Sequence, residues 1–153
     1  MTWTLVKRAN TQYGTSEIWK AIAASQLSNV TVSSTQAISG YHQSLTVVTF
    51  TGASGVGTSA AAGASSGAPT VSLTTTKAGS LVYAIGNDWD KATARTLGAS
   101  QTMVHQWLDT ATGDTYWVQS AAAAIASSGT TVPLNCTAPT SDRWNFAIVE
   151  IVK

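Results

Sequence analysis

Thr2-Trp3-Thr4-Leu5-Val6-Lys7-Arg8 divides into two faces when taken at every second residue. Trp3, Leu5 and Lys7 share one side of an extended chain, and Thr2, Thr4, Val6 and Arg8 share the other. A half-buried strand requires that pattern, because successive side chains point to opposite faces of a sheet. Working outward, a turn at Asn10 to Gly14 precedes Ser16 to Ile22, where Ile18 and Ile22 oppose Glu17 and Trp19. Val30-Thr31-Val32-Ser33 alternates, and Ser44 to Thr51 reads as a buried β-branched strand. Further strands are expected at Thr70 to Thr76, Ser80 to Gly86, Gln101 to Leu108, Thr115 to Gln119, Thr130 to Leu134 and Trp144 to Val152. About ten short strands with turn signals every 8–12 residues or so mark an all-β chain. The expected architecture is an antiparallel β-sandwich, jelly-roll-like, in one domain over residues 1–153. Ala121 to Ala126 is too short and too uncharged for a stable helix, so a loop or a single helical turn is expected. Gly52 to Gly67, built of Gly, Ala, Ser and Thr with one Val, reads as a long loop crossing between sheets. Trp3 and the final strand both read as interior.

Composition narrows the function classes. Of 153 residues only 10% are charged, against roughly 25% in an average soluble domain. A chain 44% hydrophobic is not disordered, because disorder needs charge and little apolar surface. Eight Lys and Arg against seven Asp and Glu leave a net charge of +1, without the basic footprint of a nucleic-acid binder. No apolar run is long enough to insert into a membrane. Cys136 is the one cysteine, so no internal disulfide forms. Abundant Ser, Thr and Ala with scarce Lys and Glu suit an extracellular or cell-surface module cut from a longer secreted protein.

Several motifs match in letters and fail in context. Gly55-x-Gly57-x-x-Ala60 follows a β-branched segment, but no amphipathic helix starts there and no acidic residue follows at the ribose-binding distance. Gly63-Ala64-Ser65-Ser66-Gly67 has the letters of a nucleophile elbow without the strand-turn-helix setting. His42 and His105 lie far apart and Cys136 has no companion, so zinc is unsupported. Asn87-Asp88-Trp89-Asp90 supplies oxygen ligands that, with Asp142 or Asp114, would suit calcium. The preferred reading there is turn capping and ion pairing with Arg95 and Arg143, with no cofactor.

Glu17 and Glu150 are the only glutamates, and Glu150 lies within Ala147-Ile148-Val149-Glu150-Ile151-Val152. A carboxyl in such surroundings has a raised pKa suited to acid catalysis, or else an ion-pair partner in Lys7, Lys20 or Arg8. The ion pair is preferred. A remoter reading joins Lys7, Asn145 and Glu17 or Glu150 in an intramolecular isopeptide bond.

Six tryptophans are the strongest compositional oddity. Indole and phenol rings stack on the apolar faces of sugars, and flanking amides and carboxylates bind the hydroxyls. Asn87, Asp88, Trp89, Asp90, Asp114, Tyr116 and Trp117 provide that mixture and form the candidate ligand-binding set. For any single tryptophan, burial between two sheets is the plainer expectation. Trp89, between two aspartates in a loop, is the one expected to be exposed.

The segments Trp3-Thr4-Leu5-Val6-Lys7-Arg8-Ala9-Asn10-Thr11-Gln12, Gly14-Thr15-Ser16-Glu17-Ile18-Trp19-Lys20-Ala21 and Gly86-Asn87-Asp88-Trp89-Asp90-Lys91-Ala92 carry a resemblance, as do Asp114-Thr115-Tyr116-Trp117-Val118-Gln119 and Ala138-Pro139-Thr140-Ser141-Asp142-Arg143-Trp144-Asn145. Together they resemble a β-sandwich module of large, multidomain bacterial secreted or surface proteins. The resemblance covers nearly the whole chain and implies an extracellular location, with no established activity to carry over. The expected function is therefore non-catalytic: adhesion or carbohydrate binding. The expected partners are a glycan, neighbouring domains of the same polypeptide, or further copies of the chain. The alternative is a purely structural spacer, or a filament subunit assembled by strand exchange.

Overall fold

The computed structural model describes residues 1–153. It is all-β, with every paired strand antiparallel and no helix. The strands are β1 (Thr4–Ala9), β2 (Ser16–Lys20), β3 (Gly55–Ala64), β4 (Thr70–Thr74), β5 (Leu81–Asp88), β6 (Thr96–Leu97), β7 (Gln101–Asp109), β8 (Asp114–Ala121), β9 (Thr131–Ala138) and β10 (Trp144–Val152). A five-stranded sheet runs β3-β10-β5-β8-β7, a three-stranded sheet runs β4-β9-β6, and β1-β2 is a separate hairpin.

The core lies between the two larger sheets. Val71 and Leu73 of β4 and Val132, Leu134 and Cys136 of β9 meet Val82, Ala84, Trp117, Trp144, Phe146 and Ile148 of the five-stranded sheet. Each strand contributes alternate residues, as a two-residue period demands. β10 is the exception, buried along nearly its whole length. Its even positions, Trp144, Phe146 and Ile148, enter the core, while the hairpin covers the opposite face. A strand enclosed on both sides reads as continuous apolar sequence, and Ala147 to Val152 does so.

Three expectations are corrected. Gly52 to Gly67 is not a loop, since Gly55 to Ala64 forms the whole of β3 on the edge beside β10. Its small residues are required by what lies against them: a methyl group at Gly57 would strike the Glu150 carboxylate, and one at Gly63 would strike Thr11 and Asn145. Conversely, Val30 to Ser33 and Ser44 to Thr51 form no strand and pair with nothing. No backbone–backbone hydrogen bond involves any residue from Ile22 to Ala53. Finally, β1 is not an interior strand, and Trp3 is 43% exposed. β6 joins the small sheet without having been expected; Ala121 ends β8, and Ala122 to Ala126 is a loop touching Ser80 through one bridge at Ile125.

Glu150 faces inward at the far end of β10, fully buried and without a cation. Backbone N–H groups of Thr58, Thr76 and Lys77 donate to it at 3.0, 2.8 and 3.2 Å, and the hydroxyls of Thr76 and Ser80 at 2.9 and 2.7 Å. Burial alone pushes the carboxyl up, but these donors outweigh it and bring the pKa to about 2. The expected partnership with Lys7, Lys20 or Arg8 is replaced by a cage of neutral donors that ties β10 to β3 and to the β4–β5 turn.

Candidate functional site: an aromatic band on the outer face

Alternation divides the candidate residues between the two faces of the five-stranded sheet. Trp117 points inward and is a core side chain at 1% exposure, its indole donating to Gln119 at 2.9 Å. Asp88 also points inward. It pairs with Arg95, both side chains are fully enclosed, and the guanidinium lies 4.7 Å over the Trp117 ring. Desolvation raises the Asp88 pKa, against the opposing pull of the Asp90 N–H and Arg95. These two residues are therefore withdrawn from any surface, because both lie on the side of the sheet that the core occupies.

On the outer face the geometry is set by Asn145. Its amide donates to the carbonyls of Gln12, Tyr13 and Gly14 at 3.2, 3.2 and 3.0 Å and accepts from the Gln12 N–H at 3.1 Å. Asn145 thus binds the β1–β2 turn to the sheet, not Lys7 in a covalent link. Gly14, at φ 80°, sits against the buried side chain of Asn87, where no Cβ fits. The seated turn delivers Tyr13, 67% exposed, beside Trp89 with ring centres 6.5 Å apart. Trp89 follows β5, and its loop is shaped by Asp88 accepting from the Asp90 N–H at 2.7 Å. Asp90 holds Arg143 at 2.7 Å, and the Arg143 guanidinium lies 4.7 Å over Tyr13. Tyr41 also meets Trp89, with ring centres 5.8 Å apart.

The next residue, His42, begins a second cluster. Its ring stacks on Trp107 at 6.2 Å, and Trp107 stacks on its cross-strand partner Tyr116 at 5.3 Å. Nδ1 of His42 bonds Asp109, whose side chain is only 4% exposed. Burial pushes the Asp109 carboxyl up, yet the His42 hydrogen bond, with the Ala111 N–H donating at 3.2 Å, prevails and keeps it below the usual range. The Tyr116 hydroxyl bonds Asp114 and the His42 carbonyl, both at 3.2 Å. Burial and the adjacent Asp114 raise the Tyr116 pKa well above its ordinary value.

Tyr13, Trp89 and Tyr41, then His42, Trp107 and Tyr116, thus form one band of rings joined through the Tyr41–His42 peptide. Of the residues expected from sequence, Trp89, Asp90, Asp114 and Tyr116 belong to it, while Asn87 supports it from beneath. Tyr13, Tyr41, His42 and Trp107 are additions. Only Trp117 and Trp144 of the tryptophans are buried, so the expectation that most of them fill the core is corrected. Trp89 is half-buried by its tyrosine neighbours instead of standing free.

The carboxylates are dispersed among partners. Asp142 meets Lys91 at 3.2 Å, Asp90 meets Arg143, Asp88 meets Arg95, and Asp114 accepts from Thr112 at 2.9 Å. No group of three or more His, Cys, Asp or Glu side chains gathers in metal-ligating geometry. Cys136 is buried in the core, which raises its pKa to about 11 and keeps it a thiol. No helix is long and apolar enough to cross a membrane. Comparison with family models, curated proteins and solved structures returned no match.

Proposed function

We propose that the chain is a non-catalytic carbohydrate-binding or adhesive module of a bacterial surface protein, with the aromatic band as its contact. In this reading the two larger sheets form a β-sandwich of jelly-roll-like plan, and the band lies on the outer face of one of them. The observation that carries the proposal is a row of six ring-bearing side chains, Tyr13 to Trp89 to Tyr41 and His42 to Trp107 to Tyr116, interleaved with Asp90, Arg143 and Asp114. Rings offer the apolar platform that pyranose faces stack upon, and the charged groups fix the hydroxyls. Glu150, the carboxyl considered for acid catalysis, is enclosed by its donors on the inner side of the sheet, away from the band. A glycan array, followed by pull-down on the insoluble polysaccharides it selects, tests the reading. Retention that falls at least about tenfold in Trp89→Ala and in Trp107→Ala supports it. A blank array, or retention indifferent to both substitutions, rejects it.

A second reading, a structural unit that assembles by strand exchange, is favoured by one separate observation. The chain from Ile22 to Ala53 carries no backbone–backbone hydrogen bond and exposes Ile22, Leu27, Val30, Ile38, Leu45 and Val47. Backbone groups left open along strand-like sequence are the raw material of strand addition.

A further inference from the structure

We propose that Ser44 to Thr51 pairs antiparallel with the same segment of a second copy of this chain, forming a two-fold dimer. The inference rests on the structural reading above and is independent of glycan binding. Leu45-Thr46-Val47-Val48-Thr49-Phe50 has the composition of a strand that pairs with its own kind: β-branched and aromatic, without proline, glycine or charge. Its side chains already alternate. Thr46, Val48 and Phe50 line a groove of about 140 Å³ against Ile18, Tyr83 and Val118, and Phe50 meets Tyr83 edge-on at 5.2 Å. Leu45 and Val47 turn outward, 50% and 47% exposed. The segment therefore touches the sheet through Thr46, Val48 and Phe50, while its main chain has no strand beside it.

A second copy is the occupant that fits. No Asp, Glu, Lys or Arg occurs between Lys20 and Lys77, so the two paired segments meet without like-charge repulsion of their own. Exposed edges in monomeric proteins are ordinarily protected by lysines, prolines or bulges, and this segment carries none of them. Two-fold antiparallel pairing is self-complementary, so one segment supplies both sides of the interface. Leu45, Val47 and Thr49 of one copy lie beside those of the other on the outward face. Ile38 and Val30, 70% and 52% exposed on the same irregular stretch, offer further apolar area. That matters because stable interfaces bury roughly 1,200 Å² or more.

Sedimentation across a concentration series, with hydrogen exchange read at each Leu45 to Phe50 amide, tests the pairing. The expected result is a monomer–dimer equilibrium in which those amides are protected only where dimer is populated. Val47→Lys and Val47→Glu, both at an exposed position, should each weaken the dimer at least about tenfold without altering the circular-dichroism spectrum. Mixed in equal amounts, they should recover it as a heterodimer. Wild-type protein that stays monomeric at every concentration overturns the pairing and the assembly reading together. Self-association that persists undiminished in Val47→Lys alone overturns the pairing and leaves assembly to another surface.

Discussion

Glu150 shows how one residue can be read correctly as unusual and wrongly as to cause. Its neighbours in sequence are apolar, and that context implies a strained carboxyl in need of a cation. The donors that satisfy it come instead from Thr58, Thr76, Lys77 and Ser80, on other strands and turns. Because its folded pKa, about 2, lies below the ordinary 4.5, its stabilising contribution is complete above pH 4.5. That contribution is lost as the pH falls toward 2. Glu150→Gln should cost about 3 kcal/mol at pH 7, since an amide turns donors toward donors in a closed site. It should also flatten the acid limb of the stability curve between pH 4.5 and 2, and urea titrations across that range check both effects. The candidate site was partly legible at this scale. Trp89 and Tyr116 stood out as aromatic residues among carboxylates, and both lie in the band. Trp117, one residue further on, has the opposite fate because the strand period sends it inward. His42 and Asp109 meet across 67 positions, a separation that leaves no local signal.

At the scale of elements, β10 was legible because both of its faces are covered and its sequence is accordingly apolar throughout. β3 was not. Glycine and alanine have weak preference for strands, and their presence there answers to close neighbours on both faces. Gly57→Ala and Gly63→Ala should therefore destabilise by about 1–3 kcal/mol through overpacking, although alanine is the better strand former. Ala61→Thr, at an exposed position of the same strand, should be close to neutral. Chemical denaturation of the three variants decides whether contact or propensity governs this strand. Ser44 to Thr51 errs in the other direction. Its β-branched residues suit a sheet, but preference describes how side chains fit a pleated surface and cannot supply the neighbouring strand.

At the scale of the whole molecule, the long irregular stretch lies against the outer face of the five-stranded sheet. It is fastened by a few side chains: His42 to Asp109 and Trp107, Tyr41 to Trp89, and Phe50 to Tyr83. His42→Ala removes both the hydrogen bond to Asp109 and the ring on Trp107. It should accelerate hydrogen exchange and proteolytic cleavage between Ile22 and Ala53 while leaving β5, β8 and β10 protected. In wild-type protein the same loosening should appear as acid protonates Asp109, at a pH below the usual carboxylate range because its pKa is depressed. The alternation seen in sequence thus specified sheets and facing sides. The closure of the outer face, and with it the continuity of the aromatic band, depends on contacts between residues far apart in the chain.

Tryptophan fluorescence during titration with a soluble oligosaccharide, taken from the best-retained polysaccharide, addresses the proposed contact most directly. Trp89 and Trp107 are partly buried in the band, Trp3 and Trp19 are exposed away from it, and Trp117 and Trp144 are in the core, so bound sugar should change the emission of Trp89 and Trp107 alone. The account predicts a saturable blue shift that diminishes in Trp89→Ala and in Trp107→Ala. A full-sized shift retained in the double substitution, or no shift with any glycan, would contradict it.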